Sequence, residues 1–324
     1  MPPLPPPANP LPRLVMYYQT HHDAAGNSIS ILPLLTQPGI AVTHVILAAI
    51  HINGEPDELT LNDHRPDHAR FQTLWAELRV LQASGIRVMG MLGGAARGSY
   101  ERLDASDEQF ERFYLPLRDL VRDRGLDGLD LDVEEEMSLL GIIRLIDRLR
   151  ADFGKDFIIT MAPVAMALLD FTRNLSGFDY EALEVMRGRE IAWYNTQFYC
   201  GWGDLNTSMM CDAMIQRGWS PEKIVIGLVT NPDNGSGFVP FDLLKVVMAV
   251  MRGRHPQLGG IMGWEYFNGL PGGTQRPWEW ARQMTVILHG LPKFGVPQVQ
   301  EDEEEADGAI VPEPFDYYSD GLDD

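Results

Sequence analysis

Eight short apolar runs, separated by stretches with helical periodicity, constrain the fold of this chain more than any other feature of its sequence. The runs cover residues 14–18, 42–50, 86–92, 126–133, 157–162, 191–198, 224–229 and 260–264. Most of them are continuously apolar, which is typical of parallel strands covered by helices. Apolar residues recur at helical spacing in residues 71–83, 108–122, 138–152, 209–217, 243–252 and 278–288. Repeated strand-then-helix units of this number predict an α/β fold, a (β/α)8 TIM barrel.

An open doubly wound sheet is the structural alternative. Such a sheet would show fewer strands and a glycine-rich phosphate-binding turn after the first one. Here the first run is followed by Gln19-Thr20-His21-His22, which is not such a turn. The seventh and eighth runs are separated by about 30 residues, enough for one helix. We therefore expect a single barrel domain without an inserted α+β domain.

The composition changes at both ends of this predicted domain. Residues 1–12 are rich in proline and are predicted to be an extended N-terminal extension. Residues 13–294 would form the barrel domain. Residues 295–324 are dominated by acidic residues, Gly and Pro, which predicts a disordered acidic tail.

The net charge of the chain is −20, but it is unevenly distributed. Residues 301–324 contain 11 acidic residues and no Lys or Arg, so the rest of the chain carries only −9. No basic patch offsets this charge, so nucleic acid is not an expected partner. No run of 18 apolar residues is present, so no membrane-spanning segment is expected either.

The two cysteines, Cys200 and Cys211, are too few for a disulfide framework or a thiolate metal site. We expect no metal and no cofactor, and we expect a monomer. The start of the sequence shows no signal peptide, which predicts a cytoplasmic protein and leaves other export routes open. His64 and His68 have the spacing of a helical metal site, but Pro66 between them argues against a helix there.

Three acidic residues follow one another at every second position of the fourth run. Asp130, Asp132 and Glu134 alternate with Leu131 and Val133, so a strand would place the three carboxyls on one face. Neighbouring carboxyls about 7 Å apart cannot all ionise at low cost, which suits proton transfer. The alternatives are a solvated face of an edge strand or a metal-binding cluster. A calcium loop would need a mid-loop glycine and an acid at its twelfth position, and neither is present.

The sixth and eighth runs carry further candidate binding residues. Asn195, Gln197 and Tyr199 share one strand face, and polar groups inside a barrel need partners. A ligand rich in hydroxyls and amides would supply them; an internal hydrogen-bond network is the alternative. Trp264 ends the eighth run, where its ring could stack on a sugar or simply plug the barrel.

The pattern Asp-Gly-x-Asp-x-Asp-x-Glu, formed by Asp127, Gly128, Asp130, Asp132 and Glu134, resembles the signature of glycoside hydrolase family 18. The resemblance implies retaining hydrolysis in which the 2-acetamido oxygen of the sugar attacks its own anomeric carbon. It implies that Glu134 acts as acid and then as base. Asp132 would orient the acetamido group and stabilise the oxazolinium ion, and Asp130 would share a proton with Asp132.

The same resemblance implies roles for residues on other strands. Tyr199 takes the place of a tyrosine that donates its hydroxyl to the acetamido oxygen, and Trp264 takes the place of a tryptophan beneath the reactive sugar. Met91 replaces the serine of the usual Ser-x-Gly-Gly, which we interpret as a mark of a subfamily. The remaining candidates for substrate binding are Asn195, Gln197, Tyr17, Gly94 and Met161.

Residues 88–91, 193–199 and 263–273 resemble the fungal endo-β-N-acetylglucosaminidases of this family, and the likeness extends over residues 11–291. It implies cleavage of the β-1,4 bond between the two core GlcNAc residues of N-glycans. The absence of room for an inserted domain predicts an open cleft that admits a branched glycan. A small open-groove chitinase is the alternative. A catalytically inactive glycan-binding protein is less favoured, since such proteins lose the acid at the Glu134 position.

Overall fold

The computed structural model describes residues 11–290, which belong to one compact unit. Most of the proline-rich extension and all of the acidic tail lie outside the described residues. Among the helices that the structure describes, none has the length and apolar character needed to cross a membrane.

Eight parallel strands close into a barrel, which confirms the predicted fold class. They are β1 (Arg13–Tyr18), β2 (His44–His51), β4 (Arg87–Gly93), β5 (Gly128–Asp132), β6 (Ile158–Met161), β7 (Trp193–Gln197), β8 (Ile224–Val229) and β9 (Gly260–Trp264). The barrel is closed by β1, which pairs with both β2 and β9. A short strand, β3 (Thr60–Leu61), runs antiparallel to β2 at its end.

Helices follow most of the strands. They are α1 (Pro33–Thr36), α2 (Gln72–Ala83), α3 (Ser99–Leu103), α4 (Asp107–Arg124), α5 (Leu139–Phe153), α6 (Tyr180–Arg187), α7 (Met209–Gln216), α8 (Phe241–Arg254) and α9 (Glu279–His289). Six of them match the predicted helical stretches; α1, α3 and α6 were not predicted. Between β8 and β9 the chain forms a short turn and α8, so there is no inserted domain, as expected.

Local capping sets the ends of the helices that precede and follow β5, the strand that carries Asp130 and Asp132 (the acid strand). Ser106 accepts a hydrogen bond from the backbone of Gln109 at the start of α4, and Ser138 caps α5 in the same way. Gly125 ends α4 with a φ of 61°, a conformation that glycine adopts without strain. The chain therefore turns directly from α4 into β5.

The strands separate two apolar layers. Between the barrel and its helices, Leu129 and Leu131 pack with residues such as Ile142 and Ile146 of α5. Inside the barrel, a second cluster contains residues from several strands, among them Val15, Met89, Val225 and Met262. Because side chains alternate along a strand, the neighbours of Leu129 and Leu131 on β5 face the barrel interior.

Candidate active site

The acid strand begins in a tight turn that is tied to the neighbouring strand. One oxygen of Asp127 accepts a hydrogen bond from the backbone of Val88 at 2.8 Å, and the other lies 3.0 Å from Arg87. Gly128 follows, and a Cβ atom there would lie 2.2 Å from the carbonyl oxygen of Ile158. Only glycine lets β5 approach β6 this closely.

Asp130 lies at the bottom of the site, is 0% exposed and accepts three side-chain hydrogen bonds. Tyr17 donates to it at 2.7 Å, Thr160 at 2.6 Å and Asn195 at 3.0 Å. The amide oxygen of Asn195 in turn accepts from the indole of Trp193 at 2.9 Å. Burial raises the pKa of Asp130, and the three donors oppose that shift by stabilising its charged form.

Asp132 and Glu134 lie above Asp130 and share one hydrogen-bond donor. The side-chain nitrogen of Gln197 is 3.2 Å from a carboxyl oxygen of each of them and 2.9 Å from the carbonyl oxygen of Ala162. Burial, together with the charges of Glu134 and Asp130, raises the pKa of Asp132 well above its usual range. Burial also raises the pKa of Glu134. Protons are therefore held on this pair at pH values where ordinary carboxylates are ionised.

These two carboxyls open into a cavity of about 450 Å³, which is the candidate catalytic cleft. Gly94, Gln197, Tyr199 and Trp264 also line it. Burial, and then the charge of Asp132, raises the pKa of Tyr199 well above its usual value, so its hydroxyl remains a hydrogen-bond donor. The cleft thus combines two carboxyls of raised pKa, a phenol and an indole, so it can transfer a proton and stack against an apolar ring face.

Two of the predicted substrate-binding residues lie beneath the cleft. Tyr17 and Asn195 are almost completely buried, and both donate to Asp130. Tyr17 also contacts the ring of Trp264, at 5.5 Å between ring centroids and 63° between planes. The structure therefore places these two residues in support of the acids and of the indole.

Met161 was assigned to substrate binding, and the structure does not bring it to the cleft. It is 0% exposed and packs in the apolar layer between the barrel and its helices. Its neighbour Thr160 faces the interior and bonds Asp130, so alternation along β6 turns Met161 outward. The assignment of Met161 was wrong for that reason.

The predicted sharing of a proton between Asp130 and Asp132 is not the arrangement in this structure. Both oxygens of Asp130 accept from other residues, and within residues 11–290 no hydrogen bond joins the two carboxyls.

Sequence reasoning missed two residues that support the site. Thr160 is the polar residue of an otherwise apolar strand, and that isolation was a usable signal. Glu265 follows Trp264 and is 5% exposed. Its carboxylate accepts from the backbone of Gln19 at 2.9 Å and from that of Thr20 at 2.8 Å, which ties the end of β9 to the loop after β1.

Met91, which stands where the usual Ser-x-Gly-Gly pattern has serine, lies close to Gly94. A Cβ atom on Gly94, whose φ is +86°, would lie 2.7 Å from the terminal methyl of Met91. The backbone N–H of Gly94 donates to the carbonyl oxygen of Asp132 at 2.9 Å. The positive φ favours glycine at position 94, and the methyl group of Met91 occupies part of the space that glycine leaves open. No set of three His, Cys, Asp or Glu side chains within the described residues is placed to hold a metal ion.

A (β/α)8 barrel whose carboxyls gather at the end of one strand, open to an aromatic cleft, is an arrangement that glycosidases use. Residues 13–236, more than half of the chain, match the family described as glycosyl hydrolases family 18. The chain belongs to this family.

Two solved structures and one curated protein are similar to this chain. A fungal endo-beta-N-acetylglucosaminidase of the same family is 49% identical, with a TM-score of 0.84 over 86% of this chain and 99% of that one. A chitinase from Aspergillus fumigatus is 55% identical, with a TM-score of 0.78 over 86% and 99% of the two chains. Chitinase 2 of Rhizopus oligosporus is 26% identical over 78% of this chain, which spans about half (48%) of that protein.

Proposed function

We propose that this chain is an endo-β-N-acetylglucosaminidase that cleaves the β-1,4 bond between the two core GlcNAc residues of N-glycans. The observation that carries the proposal is the joint placement of Asp132 and Glu134 in one cleft, bridged by Gln197 at 3.2 Å from each. Their raised pKa values keep a proton available where a leaving sugar must be protonated.

The first half of the reaction uses the acetamido group of the substrate as nucleophile. Its oxygen forms a bond to the anomeric carbon while the glycosidic bond breaks and Glu134 gives its proton to the leaving oxygen. Asp132 accepts the acetamido N–H and offsets the positive charge of the oxazolinium ion. The hydroxyl of Tyr199 donates to the acetamido oxygen and holds it beneath the anomeric carbon.

The second half restores the enzyme. The ionised Glu134 takes a proton from water, and the water oxygen bonds to the anomeric carbon as the oxazolinium ring opens. Two displacements at the same carbon give retention of its configuration. Asp130, held by three donors, keeps a negative charge beneath Asp132 that stabilises the cationic intermediate above.

The choice of an N-glycan substrate is supported by the 49% identity to an endo-beta-N-acetylglucosaminidase structure and by the lack of an inserted domain between β8 and β9. Without that insertion the cleft has room at its side for a branched glycan. Hydrolysis of chitin is the second candidate, and the 55% identity to a fungal chitinase favours it.

Mass spectrometry of products tests the choice. The protein is incubated separately with a high-mannose glycoprotein and with chitin oligomers, and the Glu134→Gln variant serves as the control for contaminating activity. A glycoprotein left with a single GlcNAc on each site supports the proposal. Chitin fragments together with an unchanged glycoprotein would transfer the protein to the chitinases. A folded protein that yields neither product would contradict both and leave a glycan-binding role.

A further inference from the structure

A second cavity, of about 520 Å³, adjoins the catalytic cleft. Gln19, His51 and Ala96 line both cavities, so the two share a wall. The volume falls within the range of about 300–1,000 Å³ in which proteins bind small ligands. No step of the proposed reaction uses this second cavity.

The shared wall is held by one side chain. The amide of Asn62 donates to the carbonyl oxygen of Gln19 at 2.9 Å and accepts from the backbone of Ala49 at 3.1 Å. Asn62 adopts a φ of 51°, a conformation that asparagine tolerates better than most residues. This link joins the ends of β1 and β2, so the two cavities keep a fixed separation.

The outer wall of the second cavity is polar and is formed mainly by residues 64–71. Arg70 lies 3.0 and 3.1 Å from the two ring nitrogens of His64, and its carbonyl oxygen is 3.2 Å from a ring nitrogen of His22. The guanidinium also lies 5.7 Å from the ring centroid of Phe71. These contacts position Arg70 as a wall of the cavity, with the aromatic ring of Phe71 beside it.

Two polar atoms of this cavity lack a partner within residues 11–290. They are Nδ1 of His51 and Nε of Arg70, and both are buried. A buried polar group without a hydrogen bond is unfavourable, so a small shift of either side chain that brings this atom to a ligand hydroxyl would be stabilised. A hydroxyl can accept from the guanidinium and either donate to or accept from an imidazole.

The charges around the cavity favour a neutral ligand. Arg70 is the cation of the lining and Asp63 its anion, so their charges offset each other. Burial lowers the pKa of His51, and burial together with Arg70 lowers that of His64, so both imidazoles are neutral at pH 7. A polar lining whose charges offset each other suits a neutral sugar more than a phosphate or a carboxylate.

We propose that this second cavity is a subsite for a neutral sugar residue of the substrate, beyond the two core GlcNAc residues that occupy the catalytic cleft. The inference rests on the proposed function and adds to it, because it assigns recognition of the outer glycan to His64 and Arg70. The shared wall of Gln19 and His51 would contact both parts of the same oligosaccharide.

Binding measurements on a catalytically inactive protein separate this inference from the proposed reaction. The full chain carrying Glu134→Gln is titrated calorimetrically with a high-mannose glycan on asparagine and with N,N′-diacetylchitobiosyl-asparagine, which lacks the outer sugars. Arg70→Met and His64→Ala are then added singly. Arg79→Met is the matched control, since it removes the same charge from an exposed position on α2.

We expect the high-mannose ligand to bind the parent protein more tightly than the short ligand. Arg70→Met should weaken it about tenfold, the effect of losing a hydrogen bond from a charged group, and His64→Ala should weaken it in the same direction. Affinity for the short ligand should change less than about twofold. Equal affinity of the two ligands, or equal losses for both in the variants, would overturn the subsite. Product analysis of the unmodified chain tests the reaction independently of either result.

Discussion

Replacing Thr160 with valine tests how the barrel supports its buried acid. The substitution keeps the shape of the side chain and removes the hydroxyl that donates to Asp130 at 2.6 Å. Asp130 is 0% exposed, so no bulk water can take the place of this donor. Tyr17 and Asn195 remain as its donors.

The expected loss depends on the charge of Asp130. A hydrogen bond to a charged group contributes roughly 1.5–3 kcal/mol, and a neutral one about 1 kcal/mol. Burial already raises the folded-state pKa of Asp130 above its unfolded value, so its ionisation costs stability as the pH rises through that interval. Loss of a donor raises the folded pKa further. The destabilisation by Thr160→Val should therefore be about 2 kcal/mol above the folded pKa and about half of that at acid pH.

Urea unfolding at pH 7.5 and at pH 4, followed by circular dichroism, measures this difference. Thr196→Val is the matched control, because that buried hydroxyl on β7 donates to the carbonyl oxygen of Tyr194 and contacts no carboxylate. Its effect should not change with pH. Equal destabilisation by Thr160→Val at the two pH values would refute the reasoning, and so would a larger effect at acid pH.

Three predictions concern the reaction. Glu134→Gln should abolish hydrolysis, a loss of at least about 10²–10⁴-fold in kcat, with an unchanged circular dichroism spectrum; full activity would contradict its role as the acid. Asp132→Asn should slow hydrolysis of the glycan and spare hydrolysis of a preformed sugar oxazoline, and equal losses in both assays would remove its orienting role. Gln197→Met removes a donor that lowers the pKa of Glu134. The alkaline limb of the rate profile, where this acid loses its proton, should then move to higher pH, and a shift to lower pH would oppose the assignment.

The barrel could be predicted from the sequence because its strands are encoded locally. Each run of apolar residues is long enough to reveal a buried strand, and β8 and β9 begin and end where the sequence places them. Helix α6 was not predicted; it has eight residues, and few of them mark its buried face. Its apolar residues Val185 and Met186 are 87% and 46% exposed, while only Tyr180 and Leu183 are buried.

Helix α3 could not be predicted for a different reason. It has five residues, and its start is held by a distant side chain. The carboxylate of Glu135 accepts from the backbone of Gly98 at 2.7 Å and from that of Tyr100 at 2.8 Å. A contact between residues 35 or more positions apart is set by the closed barrel and leaves no periodic pattern in the sequence.

Strand alternation made it possible to predict which residues of the candidate site face the barrel interior. Asp130 and Asp132 face the interior of the barrel as the pattern required, and Gln197 faces it from β7. The depth of each residue was not predictable, since it depends on the stagger of neighbouring strands. Asn195 therefore lies under the cleft while Gln197, two residues later, lines it.

The three carboxyls lie at different depths and differ in the number of hydrogen bonds that they accept. Asp130 receives three donors from β1, β6 and β7, whereas Asp132 and Glu134 share the single amide of Gln197. Donors stabilise the charged form of a carboxyl, so the negative charge is best accommodated on the lowest of the three. The pKa values of both upper carboxyls are raised, so the pair that borders the cleft can hold a proton. The interior of the barrel thus stabilises the charge away from the substrate and keeps the proton at the position where a leaving oxygen would receive it.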